Sequence, residues 1–215
     1  MSQPRWLMAT TNAGKLDEIR ALLAGEAITL LSLADCPSVP EPEETGVTFA
    51  ENARLKAMAY AAATGLPTIA EDSGLEVDAM DGEPGVHSAR FLGPNATYPE
   101  RCAEIARRLA ARPQAPRSAR FVCALAVVIQ GDVRFEARGV VEGEIARAPA
   151  GDAGFGYDPI FYYPPYGRTL ADVSQAEKLA VAHRGQAFRA LAVWLRQQPS
   201  PDGAGRLERL PGSTV

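Results

Sequence analysis

Apolar positions along the chain fall into short runs separated by stripes at helical spacing. Trp6, Leu7, Met8 and Ala9 form a compact run that reads as a buried strand, and Leu16, Ile19, Leu22 and Leu23 follow at the spacing of one helix face. Residues 30–33 suggest a second strand. Thr48 and Glu51 form a capping box that opens a helix through Ala63, and Gly65 closes it. Two more apolar runs, 66–70 and 75–80, flank Glu71-Asp72-Ser73-Gly74 and read as two strand pieces meeting at a turn. A helix is predicted over 99–110, with Cys102, Ile105, Ala106 and Leu109 inward. Residues 121–130 form the strongest strand pattern, Gly131-Asp132 a tight turn, and 133–141 its antiparallel partner. Ser174 and Glu177 cap a short helix carrying Lys178, and His183-Arg184 opens a last helix with Ala187, Phe188, Leu191, Trp194 and Leu195 as its buried stripe. These elements predict an α/β protein with a mixed central sheet.

The 215 residues show no composition shift of the kind that separates domains, so one domain over 1–198 is expected, with a Pro-, Gly- and Arg-rich tail at 199–215. No apolar run approaches the roughly 20 residues of a membrane span, and the start lacks a secretory h-region, so a cytoplasmic protein without a membrane partner is expected. Cys36, Cys102 and Cys123 are too scattered for a disulfide framework or a zinc site. A net charge of −4 argues against a nucleic-acid partner but leaves room for a small phosphorylated substrate held by a few placed cations and a metal.

Two stretches carry candidate chemistry. In open α/β sheets ligands bind beyond the carboxyl ends of strands, so carboxylates delivered there can hold Mg²⁺ against a phosphate; Asp72 is the candidate catalytic centre. Upstream, Thr10-Thr11-Asn12-Ala13-Gly14-Lys15 places small and amide residues and one lysine at a helix start, an arrangement suited to phosphate. It lacks the Walker A pattern, and an Asn-capped helix with a surface lysine would use the same residues. Glu41, Glu43 and Glu44 sit in a proline-rich extended loop. Downstream, Phe155 and Tyr157 offer flat faces to a purine, glycines including Gly156 let backbone approach it, and Asp158 can accept from base or sugar; an aromatic core loop would look alike. His87, beside an aromatic in a loop, reads as structural. Lys178, His183 and Arg184 near helix starts oppose the helix dipole, which points to an anion nearby.

Taken together, residues 10–15, Glu43-Glu44-Thr45-Gly46, residues 49–53, Glu71-Asp72-Ser73-Gly74, Phe155-Gly156-Tyr157-Asp158-Pro159 and Glu177-Lys178 with His183-Arg184 resemble the inosine/xanthosine triphosphate pyrophosphatase family, the Ham1-like or RdgB-like proteins. The resemblance runs from about Trp6 to Leu195, with six motifs in order. It implies a mixed sheet flooring a cleft between two lobes, a homodimer, and Mg²⁺-dependent hydrolysis of ITP, dITP and XTP to monophosphate and pyrophosphate. By matched position, Thr10, Thr11, Asn12, Ala13, Gly14 and Lys15 would bind the triphosphate, and Asp72 would be general base and metal ligand. Ser73, Phe155, Gly156, Tyr157, Asp158, Lys178, His183 and Arg184 would surround the nucleotide. Glu43 would be the second metal carboxylate, with Glu44 the alternative. The chain departs from the family at Glu71, where aspartate is common, and at Ala182, where serine usually precedes His-Arg.

Overall fold

One sheet runs through the protein in the order β2-β1-β3-β4-β5-β6-β7. The strands are β1 (Arg5–Ala9), β2 (Thr29–Leu31), β3 (Thr68–Val77), β4 (Ser118–Ile129), β5 (Asp132–Ile145), β6 (Phe161–Tyr163) and β7 (Arg168–Thr169). β1 is parallel to β2 and to β3, and every later pair is antiparallel, so the expected mixed sheet is present. The helices are α1 (Ala13–Leu22), α2 (Phe49–Thr64), α3 (Tyr98–Ala110), α4 (Gln175–Val181) and α5 (His183–Gln197). The structure, a computed structural model, describes residues 3–198, so the tail expected at 199–215 lies outside the described residues. Among the described residues no helix is long and apolar enough to cross a membrane.

Strand alternation sorts the core. Trp6, Met8, Ile69, Leu125 and Val127 pack against Ile19 of α1 and Ala187, Phe188 and Leu191 of α5. Leu7, Ala9, Ala70, Ala126 and Val128 face the other way, onto Ala53, Ala57, Tyr60 and Ala61 of α2. Further along the same strands, Leu75, Val77, Phe121 and Phe161 join Cys102, Ile105 and Leu109 of α3 in a separate cluster. The clusters thus place α1, α3 and α5 on one face of the sheet and α2 on the other.

The sequence suggested two strands meeting at a turn over 71–74, but the structure has one unbroken strand. All of β3 pairs with β4, from Thr68 with Val128 to Val77 with Ala119. Gly74 serves close approach here and turns nothing: a Cβ on it would stand 2.3 Å from Ser88 Oγ and 2.6 Å from the Gly85 carbonyl oxygen. The continuity matters because β1 stops at Ala9, opposite Ala70, while β3 runs on to Val77. Past Ala70, β3 has no strand beside it on that side until Leu75 N meets Ser88 Oγ and Glu76 bridges Pro84, and the crevice opens in this gap, beyond the carboxyl end of a parallel strand.

The helix starts follow their sequence signals. Asn12 caps α1 by accepting from Lys15 N at 3.0 Å, and Thr48 with Glu51, Thr97 with Glu100 and Ser174 with Glu177 form capping boxes. Ala182 opens α5 with no side-chain cap, as its residue type dictates. α5 is seated instead by Gly139 of β5, where a Cβ would lie 2.0 Å from the His183 carbonyl oxygen. Gln186 adds a clamp, accepting from Val140 N and donating to Val140 O. Gly139→Ala is therefore expected to push α5 off the sheet and lower stability by about 2 kcal/mol, within the range for overpacking. Urea unfolding checks this as a fall in midpoint at unchanged slope, and a shift under about 0.5 kcal/mol would remove the proposed seat.

Candidate active site

Because side chains alternate along a strand, Glu71 and Ser73 leave β3 on one face and Asp72 on the other. All three line one cleft of about 290 Å³. Asp72 points to α2. Its Oδ2 accepts from Asn52 Nδ2 at 3.2 Å, and its Oδ1 lies 3.5 Å from Lys56 Nζ. Asn52 is wholly buried and its Oδ1 accepts from Gly46 N at 2.8 Å, so one amide ties the acidic loop to the carboxylate. Burial raises the Asp72 pKa and Glu44 adds to the rise, while Lys56 pulls against it. For Lys56 burial opposes the charge, but Asp72, Glu71 and Glu44 together raise its pKa.

The acidic loop delivers Glu44 to the cleft, where Glu43 was the first expectation. Glu44 Oε1 contacts Lys56 Nζ at 2.7 Å and Oε2 accepts from Arg90 Nη1 at 3.0 Å, whereas Glu43 is exposed and off the cleft wall. The reason is extended backbone, in which neighbouring side chains point opposite ways. Glu41, three residues before Glu44, also reaches the wall, so the alternation does not carry back past Pro42.

On the other face of β3 a buried chain of charges begins. Lys15 Nζ lies 2.7 Å from Glu71 Oε1, and Arg184 Nη2 lies 3.6 Å from the same oxygen while donating to Ser73 Oγ at 3.0 Å. Burial would raise the Glu71 pKa, but Lys15, Arg184 and Lys56 hold it well below the ordinary carboxylate range. Arg184 also pairs with buried Glu18, whose other oxygen is 2.8 Å from Lys178 Nζ, and Lys178 continues to Asp158 Oδ2 at 2.7 Å. The anions that the cationic helix starts called for are thus in part the protein's own carboxylates. Glu18 was missed because it reads as one more polar residue of α1.

The aromatic part of the cleft centres on Phe155. Lys178 Nζ stands 4.5 Å and Arg184 Cζ 5.7 Å from its ring centroid. A Cβ on Gly14 would come within 3.0 Å of that ring, so Gly14 admits the phenyl group to the start of α1. Tyr157 is anchored away from free stacking: its hydroxyl donates to Ser88 O at 2.9 Å and its ring meets Tyr98 edge-on. Asp158 accepts from Phe155 N at 2.9 Å, fixing the loop, and burial raises its pKa against the pull of Lys178. Opposite, His183 stacks on Phe121 with centroids 5.0 Å apart. Among the described residues His183 Nδ1 and Arg184 Nε are buried with no hydrogen-bond partner. Unpaired buried polar atoms on a cleft wall are what a ligand's polar edge would satisfy.

Of the residues expected at the site, Thr10, Thr11, Asn12, Lys15, Asp72, Ser73, Phe155, Gly156, Tyr157, Asp158, Lys178, His183 and Arg184 line this cleft. Ala13, Gly14 and Glu43 do not. Lys56, Arg90, Tyr98 and Phe121 line it without having been expected there; Lys56 alone had a signal, its shared helix face with Asn52.

The donor set suits a hard divalent cation. Lys56 Nζ already stands between Glu44 and Asp72, at 2.7 and 3.5 Å, so the two carboxylates share one cation. No group of three or more His, Cys, Asp or Glu forms a metal cage among the described residues. Mg²⁺ needs none, since it keeps waters and takes one or two carboxylates plus substrate phosphates.

The profile of the Ham1 family matches residues 6–194. A dITP/XTP pyrophosphatase of Geobacillus kaustophilus is 46% identical over 185 residues, 86% of this chain and 91% of that one. One from Thermus thermophilus is 47% identical over 203 residues, covering 94% and 97%. A solved HAM1 protein structure from Coxiella burnetii superposes with a TM-score of 0.85 at 43% identity, covering 91% of this chain and 100% of that one.

His183 gives the fold a pH signature. Burial, with Arg184 adding to it, holds its pKa well below the ordinary value, so the folded protein keeps it neutral. The unfolded chain takes up that proton below about pH 6.5, so this contribution is complete above 6.5 and is lost as pH falls towards the folded value. Unfolding free energy in chelated buffer is expected to drop between pH 7 and 5.5 with a limiting slope of about 1.4 kcal/mol per pH unit, and His183→Gln to flatten that slope whatever its absolute stability. Equal slopes in the two proteins would show that His183 is not kept neutral.

Proposed function

The chain belongs to the Ham1 family, and we propose that it hydrolyses non-standard purine nucleoside triphosphates, ITP, dITP and XTP, to the monophosphate and pyrophosphate, removing them from the nucleotide pool. One observation carries this reading: a single cleft holds both a carboxylate pair bridged by a lysine and an aromatic wall beside an unpaired buried guanidinium N–H. The first suits a metal-bound polyphosphate and the second a purine carrying an acceptor. The family's usual homodimer and a cytoplasmic setting belong to the same proposal.

The cleft's own groups supply the steps. Lys15 and the amides opening α1, capped by Asn12, receive phosphate oxygens, since free N–H groups and a positive helix end favour anions. Asp72, oriented by Asn52, takes the proton of a water attacking the α-phosphorus, and pyrophosphate leaves. A raised pKa keeps Asp72 more basic than an exposed aspartate. Asp72 and Glu44 would hold Mg²⁺, whose chemistry there is neutralisation of charge on the phosphates. Lys56, already on both carboxylates, lies within reach of the same anion.

Selectivity follows from hydrogen-bond sign. Arg184 lines the cleft and can only donate, so a 6-keto oxygen would suit it where adenine's 6-amino group would not. A buried donor left unpaired costs a few kcal/mol, enough to slow ATP by about 100-fold or more. The test is pyrophosphate release from ITP, XTP, dITP, GTP, ATP and dTTP, with Mg²⁺ and with chelator. Release from ITP and XTP that requires the metal, at least about 100-fold faster than from ATP and lost in Asp72→Asn, is expected. Wild-type turnover by Asp72→Asn would refute the assigned base, and equal rates on ATP would refute the base pocket.

A further inference from the structure

We propose that Arg90, held by His87, is a polyphosphate-binding residue that rests on Glu44 until substrate arrives. The inference rests on the reading above and adds a contact to the phosphates that neither the sequence motifs nor the family profile assigns. Arg90 Nη1 donates to Glu44 Oε2 at 3.0 Å and Nε donates to His87 Nδ1 at 3.2 Å. Nη2 has no protein acceptor among the described residues, and the side chain stays 42% exposed on the cleft wall. His87, which read as a structural loop residue, therefore holds one edge of a guanidinium that lines the cleft.

Charge explains the change of partner. Glu44 gives one oxygen to Lys56 and the other to Arg90. A carboxylate that also takes a divalent cation cannot keep two monovalent ones beside it, because like charges at such distances repel strongly away from bulk water. Asp72, 3.5 Å from Lys56, would share the same metal, and Arg90 has no second carboxylate among the described residues, so both nitrogens would turn to the incoming anion. The anion that enters with the metal is the polyphosphate. A planar fork of N–H donors matches two phosphate oxygens at once, a geometry that a lysine cannot copy.

Calorimetric binding of two probes tests this without turnover: inorganic pyrophosphate with Mg²⁺, and inosine monophosphate. Arg90→Ala is expected to weaken pyrophosphate about 10-fold and leave inosine monophosphate within about twofold, as fits loss of one charge-assisted contact. Arg90→Lys, which keeps charge and fold but not the fork, should fall between Arg90→Ala and wild type. His87→Ala should also weaken pyrophosphate alone, by a smaller factor. Unchanged pyrophosphate affinity in Arg90→Ala, or loss of both ligands in step, would overturn the assignment. A wild-type protein that binds neither probe would instead overturn the nucleotide site itself, so the two failures are separable.

Discussion

Five buried charges and the partly exposed Lys15, of alternating sign, tie the parts of this protein together behind the cleft. Lys15 meets Glu71, Glu71 meets Arg184, Arg184 meets Glu18, Glu18 meets Lys178 and Lys178 meets Asp158. Three cations face three carboxylates, so the chain is neutral as a unit. Buried pairs add little net stability against an apolar alternative, but removing one partner strands a charge at about 3–5 kcal/mol. The network therefore acts less by adding energy than by penalising every arrangement except one. Since its members lie on α1, β3, α4, α5 and the turn holding Asp158, it fixes how the phosphate loop, the floor and the aromatic loop face each other.

That constraint works because the backbone brings the elements close enough. Gly139 lets α5 lie on β5, Gly14 lets Phe155 reach α1, and Gly46 lets Asn52 hold the acidic loop. None of these three glycines has the positive φ that would explain it by backbone conformation. Each is needed for space. The alternation of β3 then divides labour, with Asp72 turned to Asn52 and Lys56 and Glu71 turned to Lys15 and Arg184. Two adjacent acids thus acquire opposite characters: Glu71 is held firmly ionised by three cations, whereas burial leaves Asp72 readier to take a proton.

Much of this was legible in the sequence where the signal is local. Capping boxes at Thr48 and Ser174, the hairpin at Gly131 and the stripe of α5 depend on residues a few positions apart, and the structure follows them. The unbroken β3 was not legible, because Gly74 beside a serine looks like a turn until Ser88 and Gly85 are known to press on it. Glu43 and Glu44 could not be separated, since which of two adjacent side chains faces inward depends on Lys56 and Arg90, reached only through the fold. Glu18 and Arg90 escaped for the same reason: their partners are 166 and 46 residues away in sequence.

The cleft's charge balance also explains how an acidic protein can take a polyanion. With a net charge of −4 the surface as a whole offers a polyphosphate no attraction. Within the cleft, Glu44 and Asp72 are already matched by Lys56 and Arg90. A divalent cation entering alone would have to displace those nitrogens and leave them without anions, and a polyphosphate entering alone would compete with carboxylates already in place. On the proposed function, a polyphosphate entering with a divalent cation would exchange these partners, Glu44 and Asp72 holding the metal and Lys56 and Arg90 meeting phosphate oxygens, so that no charge would be left unpaired. The resting ion pairs would thus favour a metal-bound polyphosphate over either component, a selectivity that would come from exchange of partners and not from excess positive charge.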